Sequence, residues 1–261
     1  MLAKGGKNFY GIPIGILMNE SSFPRVPGEM GNAWTWDFPV RYRVVKGARF
    51  EKVVDGGLPE EELLQPYIEA AKELEAEGVR AITTNCGFVA LYQEKIKEHI
   101  SIPIFASSLL QIPLVYKLLP KGQIVGVMTV DSSKLTPQHF ACAGAADIPK
   151  VVYGMQDEEE FTHFMREDRQ EVDTEKCRQD HIRVAVRMIQ EHPEVGAIVL
   201  ECTNMPPWSK ERPGGDGAAC LRYLYPDQLC GVCFPEKGYL WIYVAEALRA
   251  VRSSSSPLDF S

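Results

Sequence analysis

Ala81-Ile82-Thr83-Thr84-Asn85-Cys86-Gly87-Phe88 reads as a short buried strand that ends on a thiol. A second stretch repeats the design: Ala197-Ile198-Val199-Leu200-Glu201-Cys202-Thr203-Asn204-Met205-Pro206. In each, a run of apolar residues containing β-branched ones marks a strand. A cysteine then falls just past its end, among small polar neighbours, with possible helix following. Working outward, strand candidates recur at Ile12–Met18, Val79–Thr84, Ile102–Ala106, Ile124–Val130, Lys150–Tyr153 and Ala197–Glu201. Helical stretches lie between some of them. Glu60–Glu77 carries Leu63, Leu64, Tyr67, Ile68, Ala71 and Leu74 at helical spacing, and Gly78 stands where a helix stop belongs. Val172–His192 repeats the plan with Ile182, Val186, Met188 and Ile189 near one stripe, and Pro193 ends it. Strands alternating with helices predict an α/β fold with parallel sheets. The segment from Ser21 to Gly56, rich in Pro, Gly and Trp, fits no such unit and reads as a long ordered loop.

The chain has 261 residues, a formal net charge of -7 and 45% hydrophobic residues. That is ample apolar material for a sizeable core. The mild acidity argues against nucleic acid or an anionic membrane as partner. No apolar run reaches the roughly 18 residues of a membrane span. Gly11–Met18 is a buried strand rather than a signal peptide, which points to a cytoplasmic protein. Seven cysteines are too sparse for a disulfide scaffold and are read as reduced thiols. Cys230 and Cys233 form a C-x-x-C without a second pair, so no metal site is expected there.

Parallel sheets collect ligands at the carboxyl ends of their strands, where Cys86 and Cys202 sit. A lone cysteine in such a place is most often a small buried hydrophobe; the repeated context sets this pair apart. A thiol at a helix N-terminus feels the positive end of the dipole, which favours thiolate. A thiolate can take a proton as general base and a facing thiol can give one as general acid. On opposite faces of a substrate carbon, the two remove and return a proton without a cofactor.

At these residues the chain resembles the aspartate/glutamate racemase superfamily, which includes hydantoin racemases and the algal dimethylsulfoniopropionate lyases. The likeness runs from about Gly11 to Trp208. Its carriers are Phe23-Pro24-Arg25-Val26-Pro27-Gly28 with Asn32 and Phe38-Pro39-Val40, the Thr83-to-Phe88 motif, Ser107-Ser108-Leu109-Leu110, and Glu201 to Pro206. The resemblance implies two similar Rossmann-like lobes, 1–108 with Cys86 and 109–209 with Cys202, and an active site in the cleft between them. It implies a homodimer or homotetramer, no cofactor, and a small carboxylate substrate. Cys86 and Cys202 would be catalytic. Thr84, Asn85, Gly87, Phe88, Thr203 and Asn204 would hold the carboxylate, Ser107, Ser108 and Thr129 would line the cleft, and Arg25 could meet a carboxylate bidentately. An amino-acid racemase of the aspartate/glutamate type is the leading expectation. A dimethylsulfoniopropionate lyase follows, since it also begins with Cα proton removal and then expels a sulfide from Cβ. A non-catalytic carboxylate-binding paralogue is the rival of another class. Trp34, Trp36, Phe38 and Tyr42 could cage a sulfonium, although loop packing is the expected role.

After about Ser209 the resemblance stops. Members of the superfamily end on a strand of the Thr-Gly-Leu-Pro-Val-Tyr-Asp type, then a helix. Codons compatible with Asp216 to Gln228 spell T-G-L-P-V-Y-D-I-Y-T-L-I-N when read one base later. Residues 210–261 would complete the first lobe, and from roughly 210 onward they are expected to be a frameshifted or mis-spliced product. Transcript sequence across Ser209 to Arg212 tests this, and an intact frame refutes it. The run Ser253 to Ser256 reads as disordered.

Overall fold

The structure is a computed structural model that describes residues 5–6, 10–56 and 60–208, together with the backbone of 232–233. Strands β1 (Ile14–Asn19), β2 (Val40–Val45), β3 (Ala81–Thr84) and β4 (Ile104–Phe105) form one sheet in the order β2-β1-β3-β4. Strands β5 (Ile124–Thr129), β6 (Lys150–Gly154), β7 (Val195–Leu200) and β8 (Val232–Cys233) form a second in the order β6-β5-β7-β8. All pairings are parallel except that of β8 with β7. The helices are α1 (Phe50–Val53), α2 (Glu60–Glu77), α3 (Gln93–Lys97), α4 (Ile112–Leu118), α5 (Pro137–Cys142), α6 (Phe161–Arg166) and α7 (Thr174–Glu191).

The two sheets share one plan. The first strand of each, β1 or β5, is central, the second lies to one side and the third to the other. Sheets covered by helices on both faces need strands that are apolar throughout, and all six residues of β7 are buried. The long helices α2 and α7 close on glycines. A Cβ on Gly15 would strike Leu74 of α2, and one on Gly126 would strike Met188 of α7. Asp173 caps α7 by accepting from the Glu175 and Lys176 amides.

The expected α/β fold with two parallel-sheet lobes is present, and α2 has the expected ends. The loop reading of Ser21 to Gly56 is corrected, because Val40–Val45 pairs with β1 as an edge strand. Its Arg41 and Arg43 both reach Glu77 of α2, which keeps two charged side chains on a strand. The α7 stripe is also shifted: His181, Val184, Ala185 and Met188 are buried while Ile182, Val186 and Ile189 flank them. Apart from Val232 and Cys233, which pair with β7 in the second sheet, the residues expected to complete the first lobe as an aberrant tail lie outside the described residues. So do Cys230 and Ser253 to Ser256. Among the described residues no helix is long and apolar enough to cross a membrane.

Candidate active site

Asn85 and Glu201 are the last residues bonded to their sheets. The Asn85 amide donates to the Leu17 carbonyl at 3.0 Å, and the Glu201 amide to the Met128 carbonyl at 2.8 Å. Cys86 and Cys202 come next, at equivalent points of the two lobes, and neither is in a disulfide. Both line one cleft. Its wall also includes Asn19, Phe23, Arg25, Phe50, Asn85, Phe88, Met165, Arg166, Glu201 and Asn204.

Cys86 precedes a 3₁₀ segment, Gly87–Tyr92, rather than an α-helix. The expected lowering by a helix dipole is therefore corrected. Burial, and secondly the Glu201 charge, push the Cys86 thiol up to about 12. The nearby amides of Phe88 and Val89 and the Asn19 side chain oppose this by favouring the anion. Asn19 is itself fixed: its amide donates to Asn85 Oδ1 at 2.7 Å, and the Tyr67 hydroxyl donates to its Oδ1. Burial likewise raises Glu201 to about 7, against hydrogen bonds from Thr129 and the Val130 amide.

Of the residues expected to bind substrate, Arg25, Asn85, Phe88 and Asn204 are at the cleft wall. The others stand behind it. Thr84 Oγ1 donates to the Ala106 carbonyl at 2.7 Å, Ser107 caps the turn that begins at Ser108, and Thr203 Oγ1 donates to the Asn85 carbonyl at 2.5 Å. Ser108 Oγ donates to the carbonyls of Leu200 and Glu201 at 2.7 and 3.0 Å. Thr129 Oγ1 donates to Glu201 Oε2 at 2.8 Å, and Gly87 backs onto the same carboxylate. Arg25 is not a solvated loop residue. It pairs with buried Glu29, donates to Ser21 Oγ at 2.7 Å, and lies 4.5 Å over the Phe23 ring. Arg166 bridges Asp55 and Asp131 at 3.1 and 2.7 Å.

Sequence reasoning passed over Glu201, Asn19, Phe50 and Arg166. A glutamate at a strand end reads as a solvated turn residue, and only its place opposite Gly87 shows otherwise. Trp36, Phe38 and Tyr42 pack together in a small core of the first lobe, and Trp34 is 88% exposed; none lines the cleft.

No protein-family model matches the chain. Among curated proteins it is 29% identical over 204 residues to a dimethylsulfoniopropionate lyase of Durusdinium sp. clade D, covering 76% of this chain and 67% of that protein. It is 27% identical over 205 residues to dimethylsulfoniopropionate lyase 7 of Emiliania huxleyi, covering 75% and 59%. For lyase 6 of the same alga the figures are 29%, 75% and 53%. The chain thus spans about two thirds of the first relative and little more than half of the others. Among solved structures, an aspartate racemase homologue from Pyrococcus horikoshii OT3 aligns at TM-score 0.47 and 15% identity, over 76% of this chain and 88% of that one. Unliganded arylmalonate decarboxylase aligns at 0.44 and 13%, over 72% and 77%. The resemblance carried by the two cysteine motifs holds: over about three quarters of its length the chain is similar in sequence to dimethylsulfoniopropionate lyases, which the resemblance groups with the aspartate/glutamate racemase superfamily.

Proposed function

We propose that this chain is a cofactor-independent enzyme that removes a proton from the carbon beside a carboxylate, and that dimethylsulfoniopropionate is its substrate. The observation that carries the reading is the pair of thiols, Cys86 and Cys202, at equivalent strand ends on one cleft wall. The lyase outcome is put ahead of the racemase expected from sequence because the curated relatives above are lyases. In this reading the substrate carboxylate meets Arg25, Asn85 and Asn204. The Cys86 thiolate takes the Cα proton, and the C–H pair forms the Cα=Cβ bond. The Cβ–S bond breaks toward sulfur, releasing dimethyl sulfide and leaving acrylate. The sulfonium carries its own leaving group, so no cofactor is needed to stabilise a carbanion. An amino acid in the same cleft has no such group on Cβ, and Cys202 would then return a proton to the opposite face.

The test uses the purified full chain in D2O with dimethylsulfoniopropionate, L-aspartate or L-glutamate. Sulfide is followed by gas chromatography and Cα deuteration by NMR. Sulfide with acrylate is the expected result. Deuteration without sulfide replaces the lyase by a racemase, and neither signal overturns the enzyme reading.

A further inference from the structure

We propose that Glu201 is the resident proton acceptor for Cys86, so that carboxyl and thiol titrate as one pair on the cleft wall. The inference rests on Cys86 being the base of the proposed reaction. That role leaves a problem which the geometry addresses. A thiol held near 12 is almost wholly protonated at neutral pH, and only a thiolate takes a carbon-bound proton. Something close by must accept the Sγ proton.

Glu201 is 1% exposed, lines the cleft, and keeps Oε1 without a hydrogen-bond partner. Such a buried orphan acceptor is unusual. The rest of the residue is fixed. Thr129 Oγ1 holds Oε2, and Ser108 Oγ holds the carbonyl. Oε1 stands against the Cα of Gly87, the residue after Cys86, where any Cβ would overlap it. On the other side, the Phe88 and Val89 amides and the Asn19 amide group face the sulfur and favour its anion.

The other charged and titratable groups nearby do not fill this role. Tyr67, behind Cys86, is pushed well above its ordinary value by burial and stays protonated. Arg25 pairs with Glu29, Arg49 with Glu20, and Arg166 with Asp55 and Asp131. Asp168, also on the cleft wall, accepts from the Ser22 and Phe23 amides. Cys202 adjoins Glu201 in sequence on the same wall.

In the transfer the Sγ–H bond breaks and the proton joins Oε1. Negative charge passes from carboxylate to sulfur, and the cleft keeps its net charge. The thiolate then takes the Cα proton. Glu201 gives its own proton to water once product has left, which accounts for the proton that elimination releases.

The test needs no substrate, so its failure is distinct from failure of the proposed function. Cys86 is alkylated with iodoacetamide between about pH 5 and 10, and its modification rate is resolved by mass spectrometry. The expected wild-type profile rises through a step near 7, as Glu201 becomes able to accept a proton, levels, and rises again toward the value of the thiol itself. Glu201→Gln should lose that step and show one rise, displaced to lower pH than the final wild-type rise because the opposing charge is gone. Thr129→Val, which removes the bond that favours the Glu201 anion, should move the step to higher pH and decides the matter if Glu201→Gln does not fold. A wild-type profile without the step, a step that survives Glu201→Gln, or one unmoved by Thr129→Val overturns the proposal. With a turned-over substrate, Glu201→Gln should replace the acid limb near 7 in the kcat profile by the single rise seen in alkylation, with KM little changed.

Discussion

Gly87 and Glu201, at the strand ends of opposite lobes, touch so closely that a side chain on Gly87 has no room. A Cβ there would lie 2.5 Å from the Glu201 carbonyl oxygen and nearer still to Oε1. The obstructing atoms are backbone and a short, tethered side chain, neither of which can swing aside. Gly87→Ala should therefore destabilise the protein by about 1–3 kcal/mol, the usual cost of overpacking. It should also push the carboxylate off its place beside Cys86 and blunt the step in alkylation. Urea unfolding checks the first effect; an unchanged midpoint would show that the 87–92 segment can retreat.

Glu201 also makes a prediction about stability. Burial holds its folded-state value near 7, against 4.5 in the unfolded chain. Between those values the folded protein binds more protons than the unfolded one, so this group's contribution falls as pH rises from about 4.5 to 7. At 1.36 kcal/mol per unit the loss is roughly 3 kcal/mol by the time the carboxyl is ionised. Glu201→Gln keeps the volume and can still accept from Thr129. It should match wild type near pH 4.5 and unfold at higher temperature than wild type at pH 8. Scanning calorimetry at the two pH values gives the answer, and equal midpoints at pH 8 would mean that the carboxylate is not penalised by burial.

Much of this site was legible in sequence because parallel β-α repetition leaves a strong mark. The two strands that end on Cys86 and Cys202 are unbroken apolar runs, and Gly78 and Pro193 close the helices that flank them. Strand β2 was hidden for the opposite reason. Val40-Arg41-Tyr42-Arg43-Val44-Val45 sits at a sheet edge, so it tolerates arginines that α2 neutralises through Glu77. Proline and tryptophan around it read as loop. The direction of the Cys86 shift was illegible too. A strand followed by a turn suggests a helix dipole, but the turn is 3₁₀, and the buried neighbour that opposes ionisation comes from a residue 115 positions away in sequence, Glu201. Nothing in the local pattern of either motif records that contact.

Arg25 has a dual place that substitutions can separate. Its side chain is 14% exposed and pairs with Glu29, which is 3% exposed and whose carboxyl burial raises against the pull of Arg25. Breaking a buried pair by removing one partner costs about 3–5 kcal/mol. Arg25→Met should approach that loss, with Glu29 taking up a proton instead. Adding Glu29→Gln should restore much of the stability. It should not restore substrate binding, because the cation facing the cleft is still absent. KM is expected to rise about 10- to 100-fold in both variants, the worth of a charged hydrogen bond. A double variant with wild-type KM would remove Arg25 from carboxylate recognition.

The two cysteines should separate by what each substitution leaves behind. Cys86→Ser and Cys202→Ser preserve shape, so each should alter stability by less than about 1 kcal/mol. A serine hydroxyl is far too weak an acid to serve at neutral pH, and turnover should fall by about 10²–10⁴-fold in either variant. Exchange at Cα discriminates further. Cys86 has the amides of Phe88, Val89 and Asn19 around its sulfur, which is the surrounding a base needs. Cys86→Ser should therefore lose Cα deuteration in D2O together with product formation. Cys202→Ser should keep slow deuteration on the one face that Cys86 serves. NMR of recovered substrate reads both. The reverse pattern, exchange surviving in Cys86→Ser but not in Cys202→Ser, would assign the base to Cys202 and leave Glu201 beside the wrong thiol.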